Sequence, residues 1–380
     1  MDAKPKSSTI SKIAWHHFDF WLLGAVAALV IFGITMIRST IAGNIDVATA
    51  PSRQLIFAVI GFGLVFTVAF LDYHLWASIN RPLYLGTILI LFLLNVVAQA
   101  FFGSARWFQV GLISIQPSEI AKIVIILILA DFFSRNQHRL HEIRWIFYSF
   151  FTAFGIIIWV ILQPNLSTSI VMFVLWGSML FIAGVRLKHV LILGVAGLII
   201  TAALLPILIE LDVIKAYQIG RVTSFLFPDP NARYGDEYNI QQALIAIGSG
   251  GWFGEGYGHG TQVQLRFLKV RWSDFIFSSL SQEFGFVGAL LIILLMLFVV
   301  YRCIRAAYLA RDTYGALIAY GVAILIAFQT MVNIGVNLKL LPATGLTMPF
   351  ISYGGSSLVT NLIGIGLVES VLLRHKSLEF

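Results

Sequence analysis

Long apolar runs alternate with short polar connectors along most of the chain. A helix needs roughly 20 apolar residues to cross a bilayer core. On that measure the pattern predicts spans near 19–37, 55–71, 83–102, 117–133, 146–163, 166–184, 189–209, 277–301, 314–336 and 352–373, about ten in all. The alternation breaks once, over Glu210 to Phe277, a long polar and glycine-rich connector between the seventh and eighth spans. Inside it, Tyr238 to Ile247 has the makings of a short amphipathic helix lying at the interface. Gly248-Ser249-Gly250-Gly251 would end that helix. The expected fold is therefore all-α and polytopic, one membrane domain over 1–380 with a large extracellular loop at about 210–276 between helices 7 and 8.

Composition agrees. The 380 residues are 59% hydrophobic and 11% charged, more apolar surface than a soluble fold of this size could hide. A net charge of +7 does not point to nucleic acid, because the basic residues lie in short clusters between spans. The amino-terminal segment, Arg135/Arg139/Arg144, Arg186/Lys188, Arg302/Arg305/Arg311 and Arg374/Lys376 fall on one side. Basic short loops stay inside, which predicts both termini in the cytoplasm and the large loop outside. The first apolar run follows Lys4, Lys6 and Lys12 without a clean small-residue cleavage site, and is read as a retained helix. Cys303 is the only cysteine, so neither an intramolecular disulfide nor a multi-cysteine metal site is available. The eight histidines lack a metal-ligand spacing, and the glycine-rich stretch lacks the Gly-Lys-Ser/Thr ending of a phosphate loop. No nucleotide or organic cofactor is expected, and the glycines are read as close backbone turns.

Charge at membrane depth is costly and faces a cavity or a partner. Pro117 suits the first turn of a helix, and Glu119 and Lys122 stand at i,i+3 on one face of it. They either neutralise one another as structural glue or, with Arg106, line a polar cavity opening outwards. The Arg106 guanidinium is a planar fork suited to phosphate oxygens, and Trp107 suits an interface. Asp274, between Trp272 and Phe275, has two readings of equal weight. It caps the helix that follows, or partial desolvation makes it a proton acceptor. The small polar run Ser352-Tyr353-Gly354-Gly355-Ser356-Ser357 allows close helix packing, and its backbone could also line a lipid headgroup site.

Taken in order, these segments resemble the SEDS family (shape, elongation, division and sporulation) of membrane glycosyltransferases. The resemblance covers nearly the whole chain. It rests on Trp15 to Asp19, Arg106-Trp107, Gln116 to Lys122, Gln163-Pro164, Tyr238-Asn239-Ile240, Ala246 to Gly251, Gly260-Thr261-Gln262 and Asp274 to Phe277. The run from Asn333 through Leu341-Pro342 and Pro349 to Ser357 is its most specific part. Phe18-Asp19 and Gly260-Thr261-Gln262 lean towards the elongation, RodA-type branch.

The resemblance implies polymerisation of lipid II into β-1,4-linked glycan on the outer face of the cytoplasmic membrane, with undecaprenyl pyrophosphate leaving. It implies Asp274 as the base, or as the group that orients the acceptor with a divalent cation such as Mg or Mn. Arg106, Lys122 and Arg221 would hold the pyrophosphate, with Glu119 positioning Lys122; a class B penicillin-binding protein would be the partner. The chain departs from the family pattern at Asn165, where an aspartate is usual, and across Leu268 to Arg271, where a Pro-Glu pair is usual. It departs again at Gln282, which replaces a glutamate, and at Lys339, which replaces a glycine. Three rivals remain: a lipid II flippase, a non-catalytic scaffold for a penicillin-binding protein, and an O-antigen ligase.

Overall fold

The computed structural model describes residues 17–41, 48–101, 108–110, 113–140, 142–210, 215–228 and 235–375. Arg106 and Trp107 lie outside them. The first half of the chain forms α1 (Phe20–Ile41), α2 (Ala50–Phe70), a short α3 (Tyr73–Ser78) and α4 (Asn80–Phe101), then α5 (Pro117–Arg135), α6 (Ile143–Leu162), α7 (Leu166–Ile182) and α8 (Leu187–Glu210). Helices α9 (Ala216–Leu226), α10 (Gly235–Ser249) and α11 (Thr261–Gln264) occupy the large connector. They are followed by α12 (Ile276–Leu309), α13 (Thr313–Asn337) and α14 (Gly355–Leu372). The ten expected spans correspond to α1, α2, α4 to α8 and α12 to α14. Among the described residues, α1, α2, α6, α12, α13 and α14 are long and apolar enough to cross a membrane by length and composition. Helix α5 carries Glu119, Lys122, Asp131 and Arg135, which dilutes its apolar run. The exception to the all-α pattern is a small antiparallel hairpin, β1 (Phe108–Val110) with β2 (Ile113–Ile115), just ahead of α5.

Helix α13 is central, packed on α12, α5, α7 and α14, while α14 lies along α2. That last crossing is close: a Cβ on Gly366 would stand 2.9 Å from the Val65 carbonyl oxygen. Small residues permit such approach where lipid supplies no hydrophobic drive between helices. At one end of the bundle, Asp19 just before α1 accepts from Arg302 Nε at 2.6 Å, and the Asp19 N–H donates to Glu369 near the end of α14 at 3.0 Å. The residue just before α1 and the last turn of α14 thus meet at one end of the bundle.

Helix α12 is broken. The sequence predicts one uninterrupted span, but Gly285 takes φ 65° and ψ −166°, a conformation open to glycine and hardly to other residues. The glycine-rich connector fills the break. The N–H groups of Phe286 and Val287 donate to Gly251 and Trp252, at 2.8 and 3.1 Å. In return Gln282 and Glu283 carbonyls accept from Glu255 and Gly256, at 2.9 and 3.0 Å. A Cβ at Gly285 would meet the backbone nitrogen of Gly254 at 2.4 Å. Those glycines therefore serve a backbone-to-backbone contact. Helix α10 forms over the expected Tyr238–Ile247 stretch and packs Ile240, Ala243 and Ala246 inwards, with α12 its main neighbour.

Candidate active site

A cavity of about 680 Å³ opens at the end of the bundle where α5 and α7 begin. Its walls come from the α6–α7 turn, α9, the segment before α12, and the connection between α13 and α14. Of the residues expected to act, Glu119, Arg221, Asp274 and Gly354 line it. Lys122 and Ser352 do not.

Asp274 is on the wall, two residues ahead of α12, and it is not a helix cap. Phe275 occupies the capping position, and the Asp274 carboxylate instead accepts from Ser273 Oγ at 2.9 Å. Burial holds its carboxyl above the ordinary carboxylate range; the Ser273 hydroxyl and the Arg221 charge pull it back down, while Asp236 adds to the rise. Its backbone is clamped. The Asp274 carbonyl accepts from Asn333 Nδ2 at 3.1 Å and Asn337 Nδ2 at 3.0 Å. Asn337 Oδ1 accepts from the Ser278 N–H at 3.1 Å, so the same amide caps the first turn of α12.

Ser352 belongs to this clamp. It is buried, donates to the Ser273 carbonyl at 2.8 Å and accepts from the Met348 N–H at 2.9 Å. The Tyr353 N–H donates to the Trp272 carbonyl at 2.9 Å. Ser352 thus meets the backbone beside Asp274 and is not on the cavity wall. Gly354 is on the wall, and its N–H donates to Gln54 Oε1 at 3.3 Å.

Lys122 is likewise set back from the wall. It is wholly buried and donates to Glu119 Oε2 at 2.7 Å, so Glu119 stands between it and the cavity. The i,i+3 pairing is as expected, but the ammonium offers no direct contact to a ligand there. Arg221 does. Its guanidinium pairs with Asp236 at 2.9 Å, lies 5.7 Å from the Tyr217 ring and stays part exposed to the cavity. Helix α9 reaches this position because Tyr217 Oη and Gln218 Nε2 donate to the Pro164 carbonyl, at 2.9 and 3.2 Å.

Three contributors were invisible in the sequence. Gln54 bridges the Ser352 carbonyl (3.1 Å) and Gly354 from α2, and no motif marks it. Asp236 partners Arg221. Gly345, at φ +72°, leaves room beside Asp274, where a Cβ would lie 3.6 Å from Oδ2 and 3.8 Å from Arg221 Nη1. Asn165, where a carboxylate was expected, donates to Ser118 Oγ at 3.3 Å and accepts from the Thr168 N–H at 3.4 Å, capping α7.

For a divalent cation, the wall supplies two carboxylates. Glu119 is taken by Lys122, which leaves Asp274. Among the described residues there is no cluster of three or more histidine, cysteine or acidic side chains that could hold a metal. The donors fit an Mg-type ion shared with substrate phosphates, which needs one or two carboxylates, and not an all-protein cage.

The sequence profile of the family described as cell cycle protein, FTSW_RODA_SPOVE, matches residues 15–377. A probable peptidoglycan glycosyltransferase FtsW from Geobacter sp. (strain M18) is 34% identical over 371 residues, covering 94% of this chain and 98% of the relative. Stage V sporulation protein E of Bacillus subtilis (strain 168) is 37% identical over 366 residues, covering 93% and 96%. The crystal structure of the rod shape determining protein RodA of Thermus thermophilus superposes with a TM-score of 0.69 at 27% identity, covering 96% of this chain and 99% of that one. A chain of a peptidoglycan synthase complex, solved for the structural coordination of polymerization and crosslinking, gives 0.77 at 29% identity over 94% and 98%.

Proposed function

We propose a reaction and a site from one premise: the chain belongs to the FtsW/RodA/SpoVE family of cell cycle proteins. It is a multi-pass membrane peptidoglycan glycosyltransferase of the SEDS type. The finer reading is that it polymerises lipid II on the outer face of the cytoplasmic membrane. The observation that carries this reading is the state of Asp274, a cavity carboxylate with a raised pKa and, among the described residues, no basic side chain bonded to it.

In this mechanism the 4-hydroxyl of the acceptor sugar gives its proton to the Asp274 carboxylate as its oxygen attacks the donor's anomeric carbon. The bond from that carbon to the pyrophosphate oxygen breaks on the opposite side, so the configuration inverts and undecaprenyl pyrophosphate departs. One base is enough for such a displacement; the rest is charge stabilisation on the leaving group. Arg221 supplies it from the cavity wall, with Arg106 expected to join it. Glu119 keeps Lys122 buried and the start of α5 fixed. A bound divalent cation, if shared between Asp274 and the substrate phosphates, would supply further positive charge there. The carbonyl clamp by Asn333 and Asn337 holds Asp274 at one position while the substrates turn over.

The FtsW and sporulation relatives support a division or sporulation setting over the elongation setting expected from Phe18-Asp19 and Gly260-Thr261-Gln262. The synthase-complex neighbour supports a transpeptidase partner, a class B penicillin-binding protein. The basic connectors support a topology with both termini in the cytoplasm. The test is polymerisation of purified lipid II by the reconstituted protein with its penicillin-binding protein, native and Asp274→Asn. Glycan from the native protein and none from the variant is the expected result. Equal product from both removes Asp274 from the chemistry. Transbilayer movement of lipid II with no product from either would favour a flippase.

A further inference from the structure

A second hollow, of about 400 Å³, lies at the opposite end of the bundle, between the start of α6 and the α7–α8 junction. The two cavities are a helix length apart: α6 begins at Ile143 on this hollow and ends beside Pro164, which lines the first. Six of its lining residues are aliphatic: Leu140, Ile143, Ile146, Val185, Ile192 and Leu193. The two others are Arg186 and His189. No carboxylate pairs with either side chain among the described residues, whereas neighbouring Arg144 is paired with Glu142 and Arg139 lies 5.2 Å from the Trp145 ring. The inner wall is closed by buried Ile146 and Val185, while Ile143 and Ile192 are more than half exposed and would face acyl chains.

This chemistry selects its occupant. Beyond the His189 imidazole the lining carries no aromatic ring and no hydroxyl or amide side chain, so a nucleotide or a free glycan has little to hold. The Arg186 guanidinium beside the His189 imidazole, at the mouth of an aliphatic cleft, suits a ligand with an anionic head and a hydrocarbon body. Basic pockets between helices on the positive side of a membrane protein bind anionic lipid headgroups. The helix ends and connectors that form the hollow carry Arg135, Arg139, Arg144 and Lys188 nearby in sequence, the basic clustering expected of the cytoplasmic side. We infer that this hollow is a binding site for an anionic glycerophospholipid of the bilayer, its phosphate between Arg186 and His189 and one acyl chain along Ile143, Ile146, Ile192 and Leu193. The site is separate from the polymerising cavity, and its occupancy does not depend on the reading of Asp274.

The experiment is native mass spectrometry of the full chain released from nanodiscs of mixed phosphatidylglycerol and phosphatidylcholine, counting retained lipid. Native protein should keep phosphatidylglycerol preferentially. An arginine near an anionic lipid is worth a roughly five-fold preference, so Arg186→Gln with His189→Gln should lose at least roughly five-fold. Ile192→Trp, which fills the mouth without changing charge, should lose it too. Lys188→Gln, nearby but off the wall, should keep it; equal loss there would mean diffuse surface attraction and would overturn the site. Equal retention of the two lipids by native protein, or unchanged retention by the double variant, would also overturn it. So would preferential retention of an added polyprenyl phosphate over phosphatidylglycerol. Unchanged melting of each variant shows that the loss is not unfolding.

Discussion

Asn337→Ala tests whether the Asp274 segment is held by its carbonyl. Asn337 Nδ2 donates to the Asp274 carbonyl at 3.0 Å and to the Asn333 carbonyl at 2.8 Å, and Oδ1 accepts from the Ser278 N–H at 3.1 Å and from Ser278 Oγ at 2.5 Å. The side chain is wholly buried. Each lost hydrogen bond costs about 1 kcal/mol net, and a buried N–H left without a partner costs about 1–3 kcal/mol. The Ser278 hydroxyl can turn to a carbonyl of the preceding turn, so it does not add to the sum. The variant should therefore lose about 3 kcal/mol, much of it from the uncapped first turn of α12. Asn333→Ala removes donors to Asp274 and Leu346 but leaves Ser278 capped, and should cost less. Thermal unfolding in one detergent gives the order native, Asn333→Ala, Asn337→Ala. In the polymerisation assay kcat should fall by ten-fold or more for Asn337→Ala with KM little changed, since a displacement of about 1 Å costs on the order of a hundred-fold. Native melting and native kcat in Asn337→Ala would refute the clamp.

Lys339 takes φ +56° at the position after the α13 C-cap, with Leu340 N–H bonded to the Gly335 carbonyl at 2.7 Å. Glycine belongs in such a turn, so Lys339→Gly should stabilise by about 1 kcal/mol, read as a higher melting temperature. The raised pKa of Asp274 puts the acid limb of the pH–rate profile above the ordinary carboxylate range, because the base must be ionised. Arg221→Gln removes a charge that lowers that pKa and frees Asp236, which raises it, so the limb should move to higher pH. His74, between α2 and α4, contacts Asp72 and Asp312, both at 2.8 Å; burial opposes its charge, but the two carboxylates raise its pKa overall. Its contribution to stability is complete below about pH 6.5 and is lost as pH rises through the raised value. Melting curves against pH should show that loss in the native protein and a flatter line in His74→Gln.

The spans were legible because a bilayer imposes a length on every apolar run, and the Glu119–Lys122 pair was legible because i,i+3 places both on one face. The break in α12 was not. Phe284 and Phe286 read as continuous helix, and the carbonyls that complete the break come from Gly251 and Trp252, more than thirty residues earlier in the chain. The run from Ser352 to Ser357 was visible as a motif, but which of its members grip backbone was not, because a serine that grips a backbone and one that touches substrate look alike in sequence. Gln54 carries no local signal whatever; its partners Ser352 and Gly354 are brought to it by the packing of α14 on α2.

The departures from the family pattern become coherent once the cavity's charges are paired off. Glu119 is neutralised by Lys122, and Asp236 by Arg221. An amide at position 165 can donate to Ser118 and accept from Thr168 at once, which an ionised carboxylate cannot. It caps α7 without adding a second free anion to the wall. Asp274 is then the wall carboxylate without a basic partner among the described residues, and under the proposed mechanism the wall would not be so negative that it repels a pyrophosphate. A second ionised acid in the same partly desolvated space would raise the pKa of Asp274 further and work against Arg221. An inverting transfer with an anionic leaving group needs one base and a surplus of positive charge beside it. Under the proposed mechanism, Asp274 and Arg221 would meet that requirement with few residues.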